Sequence, residues 1–222
     1  MKYIIILLLF FITNVKAKTY EEVTLDKCVD GDTAYFFKGK ESLKFRFLGI
    51  DTPESVHPQK KEEPFGKEAS NYTCDALKNA KKILIEYDEN SKKTDKYNRE
   101  LAWIWVDDEL LQQKLVREGL AQVAYVYGNY FYIDKLCANQ KVAMDKKLNV
   151  WQNKDYKEGY CKTIDTKNVD LEITREDGNT TKNNNVIFIV LAIVLIIASL
   201  ITHKKINKTK MKKLLKQGGV KL

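Results

Sequence analysis

Residues 44–54 read KFRFLGIDTPE. Phe45, Phe47, Leu48 and Ile50 give this stretch the apolar content of a half-buried β-strand, and Asp51-Thr52-Pro53-Glu54 closes it. Arg46 stands inside the apolar run. A guanidinium and two carboxylates therefore surround the end of one hydrophobic strand, and Pro53 stiffens the turn that carries them.

The flanking sequence supplies a setting. EEVTLDKCV alternates apolar and polar residues as a strand does, DGD is a sharp turn signal, and TAYFF returns as a second strand. KGKES then turns the chain into the opening stretch, so the three strands form a meander. GKEASNYTCDALKNA places Ala69, Tyr72, Thr73, Ala76, Leu77 and Ala80 at helical spacing. KILIEY and ELAWIWV read as strands on either side of the polar loop DENSKKTDKYNR. DELLQQKLVREG reads as a short helix with Asp108 as its N-cap and Gly119 as its stop. YIDKLCANQKVAMDKKL predicts another helix with Ile133, Leu136, Cys137, Ala143, Met144 and Leu148 on its inner stripe. This order predicts an α+β domain: a five-stranded closed barrel of OB type with about three packed helices.

In such a meander the start of the second strand and the end of the third approach one another. Asp32 and Asp51, with a main-chain carbonyl near Thr52, would then form a hard-oxygen site suited to Ca2+. No histidine cluster competes for the metal, because His57 is the only histidine before the chain's C-terminal segment. Arg46, and Arg99 ahead of the next strand, each offer a bidentate fork to a phosphate. Glu54 is a spare carboxylate able to take the proton of an attacking water. A cation, two arginines and a carboxylate are the parts expected around a phosphodiester under attack. Tyr125 and Tyr127 in AYVYG offer faces on which bases stack, although tyrosines at period two also fit a half-buried strand.

The ends of the chain carry different signals. The 222 residues have 38 Lys+Arg against 30 Asp+Glu, a formal charge of +8, and 44% hydrophobic residues, enough for a packed core. A basic balance suits nucleic acid or an anionic membrane. Residues 1–17 read as a signal peptide: Lys2, an apolar run, and a small-residue cleavage site at Val15-Lys16-Ala17. Residues 18–162 are the expected folded domain, 163–185 a polar flexible linker, 186–202 an uncharged Ile/Val/Leu-rich transmembrane helix, and 203–222 a basic tail. The lysines after the span mark the cytoplasmic side. The expected topology is a single-pass cell-membrane protein with its domain outside the cell. Cys28, Cys74, Cys137 and Cys161 lack the close CxxC spacing of a zinc site. In an oxidising compartment they permit disulfides, with three pairings open.

The blocks VDGDT, FRFLGIDTPE, HP, GKEAS, NAKK, TDKYNRELAWIWV, LVREGLAQVAYVYG and KKLNVW resemble, in order and spacing, the staphylococcal nuclease (thermonuclease) family. The resemblance spans residues 22–151. It implies an OB-fold barrel and a monomeric, Ca2+-dependent endonuclease of low sequence specificity. The implied substrates are DNA and RNA, single-stranded or flexible, with 3′-phosphates left as products. By motif it implies that Asp32 and Asp51 ligate Ca2+ and that Thr52 does so through its carbonyl. Glu54 would hold the attacking water, and Arg46 and Arg99 would bind phosphate. Asp30 would stand behind the metal, with Lys96, Tyr97, Tyr125 and Tyr127 contacting nucleotide. The chain departs from the pattern at Asn98, where glycine is expected; asparagine tolerates the left-handed backbone such a turn requires. It also departs by one missing residue after AYVYG. The rival expectation is an inactive member that holds nucleic acid without cutting it. Retention of Asp32, Arg46, Asp51, Glu54 and Arg99 together weighs against it, because pure binding has little use for carboxylates beside a polyanion.

Overall fold

In the computed structural model the described residues are 18–55, 63–153 and 156–175, with a few between 192 and 209. β1 (Tyr20–Asp30) is long enough to serve two partners. Its first half pairs antiparallel with β5 (Ile83–Glu86), and its second half pairs antiparallel with β2 (Thr33–Lys38) across two register shifts. Such irregularities bend a strand and let one sheet curl on itself. β2 continues the meander into β3 (Glu41–Phe47), and β5 pairs with β6 (Glu100–Val106). A parallel pairing of β3 with β6 closes the ring. These five strands form the expected barrel.

Phe36, Phe45, Phe47, Ile85, Trp103, Ile104 and Trp105 fill it and are essentially inaccessible to solvent. Their burial is the main stabilising term, at roughly 1.5–3 kcal/mol for each large apolar side chain. Three helices pack around the barrel: α1 (Gly66–Asn79), α2 (Leu111–Arg117) and α3 (Ile133–Asp145). Ala69, Thr73 and Leu77 form the buried stripe of α1, while Tyr72, Ala76 and Ala80 pack at its edge. On α3, Ile133, Leu136, Cys137 and Ala143 are buried, and Met144 and Leu148 are half-buried.

Three local readings change. The apolar stretch around Arg46 is not one strand. β3 ends at Phe47, Leu48-Gly49 turns, and β4 (Ile50–Asp51) pairs instead with β8 (Gln122–Val123). The break occurs because Gly49 has φ +75°, and a Cβ there would lie 2.9 Å from Ile133 and 3.0 Å from Trp103. Asp108 caps no helix. Asp107-Asp108 form the turn of a hairpin to β7 (Glu109–Leu110), so α2 starts at Leu111 with Leu110 at its N-cap. The hairpin prevails because it pairs Leu110 with Trp105 inside the core. Tyr125 and Tyr127 lie beyond β8 in irregular chain, not in a strand, and are 56% and 83% exposed, which leaves their faces open.

The cysteines pair Cys28 with Cys74, joining β1 to α1, and Cys137 with Cys161, joining α3 to a 3-10 turn (Gly159–Thr163). Residues 164–173, expected within the flexible linker, lie against the domain. Ile173 is buried, its N–H donates to Gln113, and the Gln113 and Asn139 amides both donate to the Leu171 carbonyl. Ion pairs Lys135–Asp170 and Arg117–Glu172 flank this seam. Buried Gln113 finds its partners here, and buried Asn139, which also donates to the Lys135 carbonyl, gains a second acceptor, so a polar stretch docks. The chain divides into two units, Met1–Arg175 and Glu176–Leu222. Described residues of the second unit are helical. No helix among the described residues is long and apolar enough to cross a membrane. The expected signal peptide at 1–17 and most of the expected span at 186–202 lie outside the described residues.

Candidate active site

The β1–β2 turn carries Asp30-Gly31-Asp32 to the same end of the barrel as β4. Gly31 is required there: a Cβ would stand 2.7 Å from the Thr52 hydroxyl. Its carbonyl accepts a hydrogen bond from Thr73 of α1 at 2.6 Å. The turn is thus held between a helix and the chain that follows β4. The Asp32 carboxylate is buried and accepts from the Thr52 N–H and the Thr33 hydroxyl, each at 3.0 Å. Asp30 is half-buried, accepting from the Gly31 N–H at 2.8 Å and the Ser55 hydroxyl at 2.7 Å. Both carboxylates of this turn are therefore aimed by backbone and short hydroxyl donors rather than by each other.

Arg46 projects from β3 into this group. One guanidinium nitrogen pairs with Asp32 and the other donates to Asp51 Oδ1 at 2.8 Å. Burial lowers the Arg46 pKa below the ordinary arginine value; Asp51 opposes that, and the neighbouring positive charge of Arg99 adds to it. Burial likewise raises the Asp51 carboxyl above the ordinary carboxylate range. Arg46 and a hydrogen bond from Gln122 act against this, and Glu63 acts with it. The Tyr125 hydroxyl is raised chiefly by the charge of Asp51, and the Arg46 guanidinium lies 5.5 Å from its ring centre. Arg46, Asp51, Arg99 and Tyr125 thus share one electrostatic neighbourhood.

Arg99 reaches that neighbourhood from the loop before β6. Asp95 accepts from its Nε at 2.7 Å, pairs with its Nη2 at 2.6 Å, and also accepts the Tyr97 and Arg99 N–H groups. Asn98 has φ +58°, the left-handed conformation anticipated for it. Tyr97 is 67% exposed, with Lys96 Nζ 4.9 Å and the Arg99 guanidinium 5.5 Å from its ring centre. The half-buried Glu54 donates its N–H to Glu63 at 3.1 Å.

Asp32, Arg46, Asp51 and Thr52 are thus in direct contact, with Arg99 and Tyr125 within electrostatic reach; Lys96, Tyr97 and Tyr127 lie on exposed loops. Sequence reasoning missed Asp95, Gln122 and Glu63. Asp95 had a local signal, four residues before Arg99 in a turn. Gln122 had none, since only the β4–β8 pairing sets it opposite Asp51.

The site's donor set can be tested against a cation. It offers two carboxylates and the buried Thr52 hydroxyl, which has no hydrogen-bond partner among the described residues. All are oxygens, the donor type a hard cation takes. That chemistry fits Ca2+. No group of three or more His, Cys, Asp or Glu side chains is gathered as metal ligands among the described residues. A cation here would therefore complete its shell with backbone carbonyl and water.

The staphylococcal nuclease homologue family matches residues 44–153, the segment from Arg46's strand through the last barrel helix. Thermonucleases of Staphylococcus hyicus and Staphylococcus intermedius are 37% and 38% identical over 142 and 140 residues, covering 64% and 63% of this chain and 80% of each relative. The chain belongs to the staphylococcal nuclease family. Endonuclease YncB of Bacillus subtilis is 39% identical over 141 residues, 63% of this chain and 65% of its own length. Residues 156–175, which dock on the barrel here, lie beyond the segment the family matches.

Proposed function

We propose that this member of the staphylococcal nuclease family is a Ca2+-dependent endonuclease that hydrolyses phosphodiester bonds of DNA and RNA. The single observation that carries the reading is Arg46 held between Asp32 and Asp51. A guanidinium pinned at both ends by carboxylates keeps its fork fixed, so a phosphate meets an already oriented donor.

Arg46 and Arg99 bind the phosphate and offset the charge that grows on it as water attacks. Asp95 Oδ2 holds one edge of the Arg99 guanidinium through both Nε and Nη2. Glu54 orients the attacking water and takes its proton. The new bond is from water oxygen to phosphorus; the P–O5′ bond breaks, leaving a 3′-phosphate and a 5′-hydroxyl. Asp32, Asp51 and the Thr52 carbonyl would hold Ca2+, which when bound polarises a phosphoryl oxygen. Asp30 steadies the turn behind Asp32. Lys96, Tyr97, Tyr125 and Tyr127 contact the nucleotides on either side, and their exposed rings favour unstacked strands.

The proposal extends to location. Two disulfides suit an oxidising compartment. A signal peptide at 1–17 and a membrane span at 186–202 would hold the domain outside the cell, as a monomer, with the lysine-rich tail inside. The activity is tested by plasmid nicking with the purified chain. Nicking in Ca2+, little in Mg2+ with its stricter octahedral demand, and none in excess chelator is the expected pattern. Full activity in chelator would refute it.

A further inference from the structure

A cleft of about 550 Å3 opens beside Asp51 and Thr52, within the size range of small-molecule sites. Arg46, Arg99 and Tyr125 do not line it. Its other walls are Glu63, Pro64 and Gln122 on one side and Asn153, Tyr156, Lys157 and Gly159 on the other. The second wall is built from chain at and beyond the end of the segment the family matches.

That wall is anchored. The Cys137–Cys161 disulfide fixes its far end to α3. Gln140 of α3 donates to the Glu158 carbonyl at 2.9 Å and accepts the Val123 N–H at 2.7 Å, coupling the wall to β8. Tyr156 packs edge-on against Trp151, with ring centres 6.1 Å apart, and its N–H donates to the Asn153 carbonyl at 3.3 Å. Tyr156 lines the cleft with Glu63 and Asp51, and its hydroxyl is pushed up to about 12 by burial and then by their charges.

The lining selects the occupant. Among the described lining residues two carboxylates stand against one lysine, which disfavours a phosphate inside the cleft. A half-buried tyrosine ring offers a face on which any base can stack, and the Gln122 and Asn153 amides add polar edges to the lining. Asp51 lines this cleft with Tyr156, and it also holds Arg46, whose guanidinium lies 5.5 Å from the centre of the Tyr125 ring outside the cleft. We propose that this cleft is a second nucleobase subsite, in which Tyr156 stacks on the base next to the scissile phosphate, on the side away from Tyr125. The inference rests on the nuclease reading and assigns substrate binding to a segment that the family match does not include.

Dinucleotides with a single cleavable bond test it, using the intact chain with Ca2+ and either nucleoside replaced by an abasic sugar. The parent should need both bases. Tyr156→Ala should raise KM for the full dinucleotide about 5- to 150-fold, the worth of one stacked base, with kcat within about twofold. It should also become indifferent to one of the two bases, and Tyr156→Phe should behave as the parent. Equal dependence of parent and Tyr156→Ala on both bases overturns the subsite, as does a loss confined to kcat on every substrate. If the parent cuts none of these, plasmid nicking decides the nuclease reading, and anisotropy of fluorescein-labelled octadeoxyadenylate decides the subsite alone. Weaker binding by Tyr156→Ala but not Tyr156→Phe supports it; unchanged binding rejects it.

Discussion

Arg46 Nη2 lies 2.8 Å from Asp51 Oδ1, and the two residues belong to different strands although only five positions separate them. The break at Leu48-Gly49 makes this possible. In an unbroken strand, residues at odd spacing point to opposite faces. Here β3 ends, the chain turns, and Asp51 comes back toward the guanidinium. Arg46→Lys keeps a charge but loses the two-nitrogen fork, and cleavage should fall at least about tenfold. Arg46→Ala leaves two carboxylates close together and should cost about 3–5 kcal/mol of stability as well. Chemical unfolding and initial rates read the two effects separately; a fully active Arg46→Ala would remove Arg46 from the site.

Arg99 has no strand neighbour to fix it and depends on Asp95. Arg99→Ala should slow cleavage of single-stranded DNA about a hundredfold or more, the scale set by losing one donor to developing charge. Asp95→Asn should lose less, because the guanidinium remains while its orientation loosens. Near-normal turnover of a folded Arg99→Ala protein would contradict the assignment.

Glu86 is buried at the other side of the barrel, where its Oε2 accepts from Trp105 Nε1 at 2.9 Å and the Tyr132 hydroxyl at 2.7 Å. Burial raises its carboxyl above the ordinary range, with those hydrogen bonds and Lys18 opposing. The folded state therefore holds the proton more tightly than the unfolded chain. Its stabilising contribution is full below the unfolded pKa and lost as pH rises through the folded value. Thermal melts should show parent stability declining across that window and Glu86→Gln declining less. Parallel profiles would show that Glu86 is not the group responsible.

The Cys28–Cys74 bond closes a span of 46 residues and ties β1 to the helix whose Thr73 holds the Gly31 turn. Replacing both cysteines by serine should cost about 2–5 kcal/mol. Denaturant midpoints measure this. Because Asp32 follows that turn, the double variant should also lose Ca2+ affinity while folded, readable by calorimetry.

The topology proposal predicts that protease added to intact cells removes the nuclease domain and leaves the lysine-rich tail protected. Digestion of the tail from outside, with the domain shielded, would invert the orientation.

Much of this molecule was legible from local pattern. Alternating residues and two turn signals specify the meander, because a one-sided sheet must show period two. The i, i+4 stripes specify the barrel helices, and an aspartate, an arginine and a second aspartate at strand ends mark where charge gathers. What local pattern could not carry was anything that depends on which segments meet. The Asp107-Asp108 hairpin won over a helix cap only because Leu110 finds Trp105 in the core. The disulfide pairing needed β1 beside α1. Gln122 and Glu63 became neighbours of Asp51 only through folding, and residues 164–173 look like linker until the buried amides of Gln113 and Asn139 bond to their backbone. The sequence by itself determined the elements and the chemical parts of the site, since these follow from side chains at short spacing. Tertiary structure decided where the strand breaks, how the carboxylates face Arg46, and that Tyr156 stands near Asp51. Those depend on contacts between residues far apart in the chain, whose free energy no local window contains.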